Sequence, residues 1–291
     1  RGSRSFLAPP MPPAPAPRAL LCFLGPPASG KGSYTKLVTE AFKKTPLKGK
    51  AGVAPTQTPV VAKLVASDLV RAEVARDSDT GRRMAGFMRE HKHVPSELMV
   101  STLRRGIEET VPSARILLDG FPRNVAQARA FLQSAGQTTT SSLRCLHLDV
   151  RREWARAKAV GRLTCPDCDF PYNDARIQDG AFVWEADVTA KPKCGGGIKS
   201  CRYPESLKRR DSGEVFDARY KLYVKEEAPV VEFLRKESGN GCVKNVEIVG
   251  GYRVMSDTVM EAVVDLFGME EEVDVGELQR AARTVLDEWG S

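Results

Sequence analysis

The segment GPPASGKGS at residues 25–33 follows a short apolar run, ALLCFL at 19–24, and opens the stretch GKGSYTKLVTEAFKK. The run stops at Gly25 as a buried parallel strand stops, and Leu37, Val38 and Phe42 fall on one side of the helix that follows. A glycine-rich turn between strand and helix presents several backbone N–H groups at the positive end of the helix, which suits a polyphosphate. The phosphate-loop spacing GxxxxGK is met by Gly25, Gly30 and Lys31. The hydroxyl position that ordinarily follows holds Gly32 instead, and Ser33 arrives one residue later. Lys31 is placed to reach β- and γ-phosphates, and Ser33 to meet a cation's shell or a phosphate oxygen. The competing reading is a merely tight turn.

Working outward, VVAKLVASDLVRAEVAR passes from a strand-like run into a helix. DTGRRMAGFMREHKHV and PSELMVSTLRRGIEETV read as two further helices, the second capped by Ser96. ARILLDG is a second buried strand ending at Asp119-Gly120, AQARAFLQS a helix, LRCLHLDV a third strand and RREWARAKAVGR a helix. Strands alternating with helices predict an α/β fold, a parallel sheet covered on both faces. Residues 163–208 break the pattern with Gly, Pro, Lys, four cysteines and short aromatic runs, and read as an inserted small β-module. Helical text resumes at SGEVFDARYKLYVKEEAPVVEFLRK, then a strand VKNVEIVG and a helix SDTVMEAVVDLFG ending near Gly268. The core therefore spans 19–162 and 209–268, with a Lys/Gly/Pro/Thr-rich surface insertion at 43–60. In the extension 269–291, Leu278, Ala282, Val285, Leu286 and Trp289 share helical spacing. That helix either packs back on the core or docks a partner.

With 291 residues, 42% hydrophobic and 28% charged, the chain reads as globular, and no apolar run approaches the length of a membrane span. The net charge of +7 comes from scattered Arg and Lys, without the aromatic-basic interleaving of a nucleic-acid platform. Anionic small molecules are the expected partners, and a solvated basic surface is the plainer reading. Seven cysteines, two of them in the pair Cys165-x-x-Cys168, argue for reduced thiols or metal rather than a secreted disulfide scaffold. Residues 1–18 carry three arginines and six prolines, and no acidic residue occurs before Glu40. This head resembles an organelle transit segment, or else it is a disordered Pro-Ala linker.

A second constellation, LLDGFPRNVAQA, sets Asp119 at the carboxyl end of a buried strand, where an acid can order Mg²⁺ and its waters. Arg123 projects from the same loop. An Asp that only caps a turn is the alternative.

In order and spacing, GPPASGKGS, SDLVRAEV, HKHVPSELMV, LLDGFPRNVAQA, AVGRLTCPDC and FDARYKLYVKEEAPVVEF resemble the adenylate kinase family from about residue 19 to 268. Loops of that family read Gly-Lys-Gly-Thr, so Gly32 matches the family's own variant and Ser33 stands for its Thr. The resemblance implies a P-loop kinase fold, Mg²⁺, and the reaction ATP + AMP ⇌ 2 ADP, with an acceptor phosphate already ionised. It implies AMP-binding helices at about 62–100, with Ser67, Arg71, Val94, Gly120, Arg123 and Gln127 on the AMP side. It puts Gly25, Gly30, Lys31, Gly32, Ser33, Lys158 and Arg162 on the ATP side, Ser33 and Asp119 near Mg²⁺, and Lys31, Arg123, Arg162 and Arg219 on the transferring phosphate. The module at 163–208 corresponds to the family's lid, and the chain looks most like long-lid forms of plant and algal organelles. Cys165 and Cys168 match a lid type that binds structural zinc. Cys194 and Cys201 depart from its second half, so zinc and apolar packing without metal both stand.

Other departures bear on rate. Ala28 replaces a loop glycine, Ala66-Ser67 stand where the family has Thr-Gly, and Lys158 replaces an arginine. In LKRRDS, Lys208 or Arg209 stands in for a clamping arginine, and Arg210 replaces an Asp. Lysine keeps charge but loses the planar fork. The expectation is an adenylate kinase of reduced rate in an organelle, the mitochondrial matrix ahead of the plastid stroma. The alternative is a kinase-like structural or nucleotide-sensing subunit of a larger organelle complex, recruited through the N-terminal tail, the 43–60 insertion or the C-terminal helix. A monophosphate kinase for another base is disfavoured by the long lid and Gln127.

Overall fold

The computed structural model describes residues 19–48, 61–90, 94–134, 143–166, 171–180, 182–184, 207–209 and 211–289. At its centre lies β1 (Leu20–Leu24), an apolar strand buried along its whole length. Successive strand side chains point to opposite faces. Leu21 and Phe23 accordingly join one hydrophobic core, and Leu20, Cys22 and Leu24 join another. The chain then continues through α1 (Lys31–Lys43), β2 (Val61–Val65), α2 (Ala66–Ala75), α3 (Asp79–Arg89), α4 (Ser96–Glu108), β3 (Arg115–Asp119), α5 (Val125–Ser134), β4 (Leu143–Asp149) and α6 (Arg152–Val160).

Short strands follow: β5 (Arg162–Thr164), β6 (Pro171–Asn173), β7 (Ile177–Asp179), β8 (Phe182–Trp184) and β9 (Lys208–Arg209). The chain returns to the core as α7 (Gly213–Leu222), a π-helical turn at Tyr223–Glu227, α8 (Ala228–Ser238), β10 (Val243–Glu247), α9 (Tyr252–Phe267) and α10 (Val275–Trp289). The wide turn sits where the sequence suggests one unbroken helix. Pro229, in the first turn of α8, lacks an N–H and crowds the preceding turn, so the backbone loosens just ahead of it.

The main sheet has the order β10-β4-β1-β3-β2, with every neighbouring pair parallel. Helices α1, α9 and α10 cover one face, and α2, α4, α5 and α8 the other. Double coverage is why these strands read as continuous apolar runs. The inserted strands are antiparallel: β6-β5-β9 form one small sheet and β7-β8 a hairpin. Ser96 is not a cap. The Pro95 carbonyl accepts the first helical bond from the Met99 N–H, so α4 starts at Ser96 itself.

The C-terminal helix packs back on the core. Leu278, Ala282, Val285 and Leu286 are buried in the same core as α1 and α9, while Arg253 pairs with Asp287 at 2.6 Å and Lys36 lies over the Trp289 ring. The beginning of the 43–60 segment is tied to this region, since Leu47 bridges Val273 and the Lys48 N–H donates to the Glu272 carbonyl at 2.7 Å. Residues 1–18 and 49–60 lie outside the described residues. Among the described residues no helix is long and apolar enough to cross a membrane.

Truncating a fully buried α10 side chain should therefore cost core stability. Leu286→Ala or Leu278→Ala is expected to destabilise the chain by about 2–5 kcal/mol in chemical denaturation. Arg283→Ala, which removes an exposed pair with Asp257, should leave the midpoint nearly unchanged. Equal, negligible shifts for all three variants would show that α10 is not part of the core.

Candidate active site

The loop between β1 and α1 has a shape that glycine alone allows at two points. Gly25 has φ +147°, and a Cβ there would stand 2.5 Å from the Leu148 carbonyl oxygen. Gly30 has φ +100° and meets the Tyr34 ring at 3.0 Å. Helix α1 begins on Gly30 with no side-chain cap and no acidic residue in its first turn, so its N–H groups face the loop. Lys31 curls back, donating to the Gly25 carbonyl and to that of Pro26 at 2.9 Å. Burial pulls its pKa down to about 8, against the opposing pull of the Glu227 and Asp119 carboxylates. Ala28 takes φ +61°, a left-handed conformation that costs an L-residue about 1–2 kcal/mol.

Strand β3 lies beside β1, which brings Asp119 to the first turn of α1. Its Oδ2 lies 3.9 Å from where a Cβ on Gly32 would stand and accepts from the Thr35 hydroxyl at 3.4 Å. The Lys63 ammonium lies 2.8 Å from the same oxygen. A carboxylate beside the Thr35 hydroxyl, with Ser33 in the same first turn of α1, offers hard oxygens of the kind that Mg²⁺ and its waters accept, so the residues fit that cation. Arg123 is held over the same loop. Its Nε donates to the Gly120 carbonyl at 3.2 Å, and its backbone N–H donates to Gln127 Oε1 at 2.9 Å. Gln127 is thus buried with its carbonyl committed to the Arg123 loop.

Two more predicted arginines converge on one carboxylate. Arg162 and Arg219 approach Asp211 at 3.8 and 3.5 Å, and Asp211 is buried. The charges of Asp119, Arg123, Arg219 and Glu227 all bear on Lys31. Arg209 does not join Asp211: it pairs with Asp174 at 2.7 Å and with the Val160 carbonyl, and Lys208 is exposed. Lys158 is buried beneath the β8 indole of Trp184, 4.2 Å from the ring centroid, with Tyr252 at 5.9 Å. Burial, reinforced by the Arg162 charge, lowers its pKa to about 7.

The remaining predicted residues have surroundings of their own. Arg71 pairs with Asp68 on its own helix, Ser67 is exposed and Val94 packs against the second core. Ala66 is buried and lies 3.8 Å from where a Cβ on Gly120 would stand. Of the proposed zinc set, Cys165 is buried in place, whereas Cys168, Cys194 and Cys201 lie outside the described residues. Among the described residues no cluster of three or more His, Cys, Asp or Glu is arranged to hold a metal.

A family model described as adenylate kinase matches residues 23–239, which takes in the loop, Asp119, Arg162, Asp211 and Arg219. The chain belongs to the adenylate kinase family. An adenylate kinase of Thermotoga neapolitana is 27% identical over 257 residues, covering 87% of this chain and 99% of that protein. Those of Finegoldia magna and Thermodesulfovibrio yellowstonii are 25% and 27% identical over 218 and 231 residues, 75% and 79% of this chain and 87% and 92% of theirs. The chain is accordingly a nucleoside monophosphate kinase, a phosphotransferase. Sequence reasoning missed Thr35, Lys63, Asp211, Glu227 and Trp184. Lys63 had a signal, a lone charge inside the apolar run VVAKLV.

Two outcomes follow from this geometry. The depressed lysines should take up protons when a polyphosphate arrives, because an anion raises their pKa. At about pH 8.5 calorimetric ATP binding should show net proton uptake in buffers of contrasting ionisation enthalpy, and Lys158→Met should reduce it; zero uptake would refute the assignment. The same shift means that the cost of burying Lys158 shrinks, and stability rises, as pH climbs from about 7 toward the ordinary lysine value, since the unfolded chain then binds more protons. Ala28→Gly should relieve loop strain and raise stability by about 0.5–1 kcal/mol after the entropy cost of glycine; a loss on denaturation would contradict the strain.

Proposed function

We propose that the chain catalyses reversible phosphoryl transfer, ATP + AMP ⇌ 2 ADP, on the crevice between β1 and β3. The observation that carries this reading is the setting of Lys31 at the start of α1, where the charges of Arg123 and Arg219 bear on it, with Arg162 tied to Arg219 through Asp211. Phosphoryl transfer between phosphates needs no strong base; it needs the two nucleotides held in line and the charge on the moving group neutralised. The α1 N–H groups and Lys31 hold the donor polyphosphate, and Arg123, Arg162 and Arg219 neutralise charge from the open side. Ser33, Thr35 and Asp119 would hold Mg²⁺, which when bound supplies further neutralisation of the phosphates. On the AMP side the reading assigns Ser67, Arg71, Val94, Gly120 and Gln127.

The turnover is proposed to be modest. Lys158 supplies a point charge rather than a planar fork, and it is held under Trp184. Arg209 is committed to Asp174. Structural zinc in the lid and residence in an organelle, with the mitochondrial matrix ahead of the plastid stroma, remain part of the proposal. They rest on the cysteine spacing and on the composition of residues 1–18. A scaffold or nucleotide-sensing role loses one support, because α10 covers its apolar face within the chain.

The test is ADP formation from ATP with AMP, CMP, UMP or dTMP on the purified chain. AMP should be strongly preferred, and Lys31→Ala should lower kcat by at least about 100-fold. Asp211→Asn, which loosens both arginines at once, should lower kcat far more than it raises KM for either nucleotide. Tight nucleotide binding with no turnover would overturn the enzyme reading in favour of a sensing subunit.

A further inference from the structure

The Lys63–Asp119 pair has no place in the reading above. Strand β2 is the edge of the sheet, and a lysine on an edge strand ordinarily points to water and discourages pairing with other chains. Lys63 does not. In the β2–β3 register Val65 faces Asp119 and Lys63 faces Leu117, so Lys63 is the diagonal neighbour of Asp119 on one face. Leu117 is part of the core beneath α1, so this is the face that carries the loop helix. The ammonium sits 2.8 Å from Asp119 Oδ2, with about three-quarters of each side chain buried. The contacted oxygen is the one that faces α1, since Thr35 donates to it and Gly32 lies against it.

We propose that Lys63 is a positioning residue, a built-in counter-cation for Asp119 that sets how strongly the nucleotide site demands a divalent cation. This rests on the phosphotransferase reading of the site. The physical reason is simple. A carboxylate that orders a cation's water shell acts through its negative charge and through the direction of its lone pairs. Lys63 takes one of those directions and offsets the charge, so Asp119 attracts a dication less than a free carboxylate would. In exchange Lys63 fixes the carboxylate in place beside α1. The consequence is a site that binds its metal–nucleotide more weakly and depends less steeply on free cation than one with Asp119 unpaired.

Mn²⁺ is the probe, because its paramagnetism reports binding directly, without turnover. In the full-length chain with saturating ATP, Lys63→Met is expected to tighten Mn²⁺ by about three- to tenfold in electron paramagnetic resonance titrations. Lys63→Arg should stay near wild type, since it restores the cation. In an Asp119→Asn background the same Lys63→Met change should have no effect on Mn²⁺ affinity, as the pair is already gone. Half-maximal Mg²⁺ for turnover should move in parallel, while KM for AMP holds. Unchanged or weaker Mn²⁺ binding in folded Lys63→Met, with ATP still bound, overturns this inference alone. Failure of the wild-type chain to bind Mn²⁺–ATP at all overturns it together with the phosphotransferase reading.

Discussion

The pairing of β1 between β3 and β4 is the constraint on which the rest of the molecule depends. A strand paired on both edges and covered on both faces has no freedom in register, because a slip of one residue would exchange Leu21 and Phe23 with Cys22 and Leu24 between two different cores. Fixing β1 fixes where its carboxyl end releases the loop at Gly25. Fixing β3 beside it fixes where Asp119 emerges. The chain leaves β1 toward β2 on one side and reaches β4 on the other, so a crevice opens at the carboxyl ends of these strands. The loop glycines then answer a local demand, since a side chain at Gly25 would collide with the Leu148 carbonyl on β4. Phosphate-loop geometry is in this sense a consequence of close strand packing as much as of ligand binding.

Around that crevice the cations are arranged in layers, each held by an acceptor of the protein's own. Lys31 is held by the loop carbonyls, Lys63 by Asp119, and Arg162 and Arg219 by Asp211. Half-buried cations need such acceptors, because desolvation without a partner would drive them neutral or outward. Lys158 shows the limit of the arrangement: its neighbours are aromatic rings and the like-charged Arg162, and its pKa falls further than that of Lys31.

The fold was largely legible in the sequence because its signal is local. Apolar runs such as LLCFL and RILLD, each ending at a glycine or an Asp-Gly, mark buried parallel strands without any knowledge of partners. The loop residues and Arg123 were legible for the same reason, since motif spacing encodes them. Asp211 and Glu227 were not: their roles depend on a return of the chain from beyond the inserted strands, which no periodicity records. The Arg209–Asp174 pair was not legible either, because it depends on β9 pairing with β5 across the inserted strands. Ser96 failed on a smaller scale, because the rigid Pro95 before it accepts the first helical bond.

These internal pairs shape what binding must do. A phosphate entering the crevice competes with carbonyls and carboxylates already in contact with the cations, so its gain is the difference between two sets of charged hydrogen bonds. That difference is largest for a ligand that satisfies several cations at once, because each internal acceptor serves only one or two. Asp211 is shared by Arg162 and Arg219, so a phosphate that engages both arginines displaces a single internal acceptor. A ligand that carries several phosphate oxygens meets this condition better than a singly charged anion, because it can offer a separate acceptor to each cation.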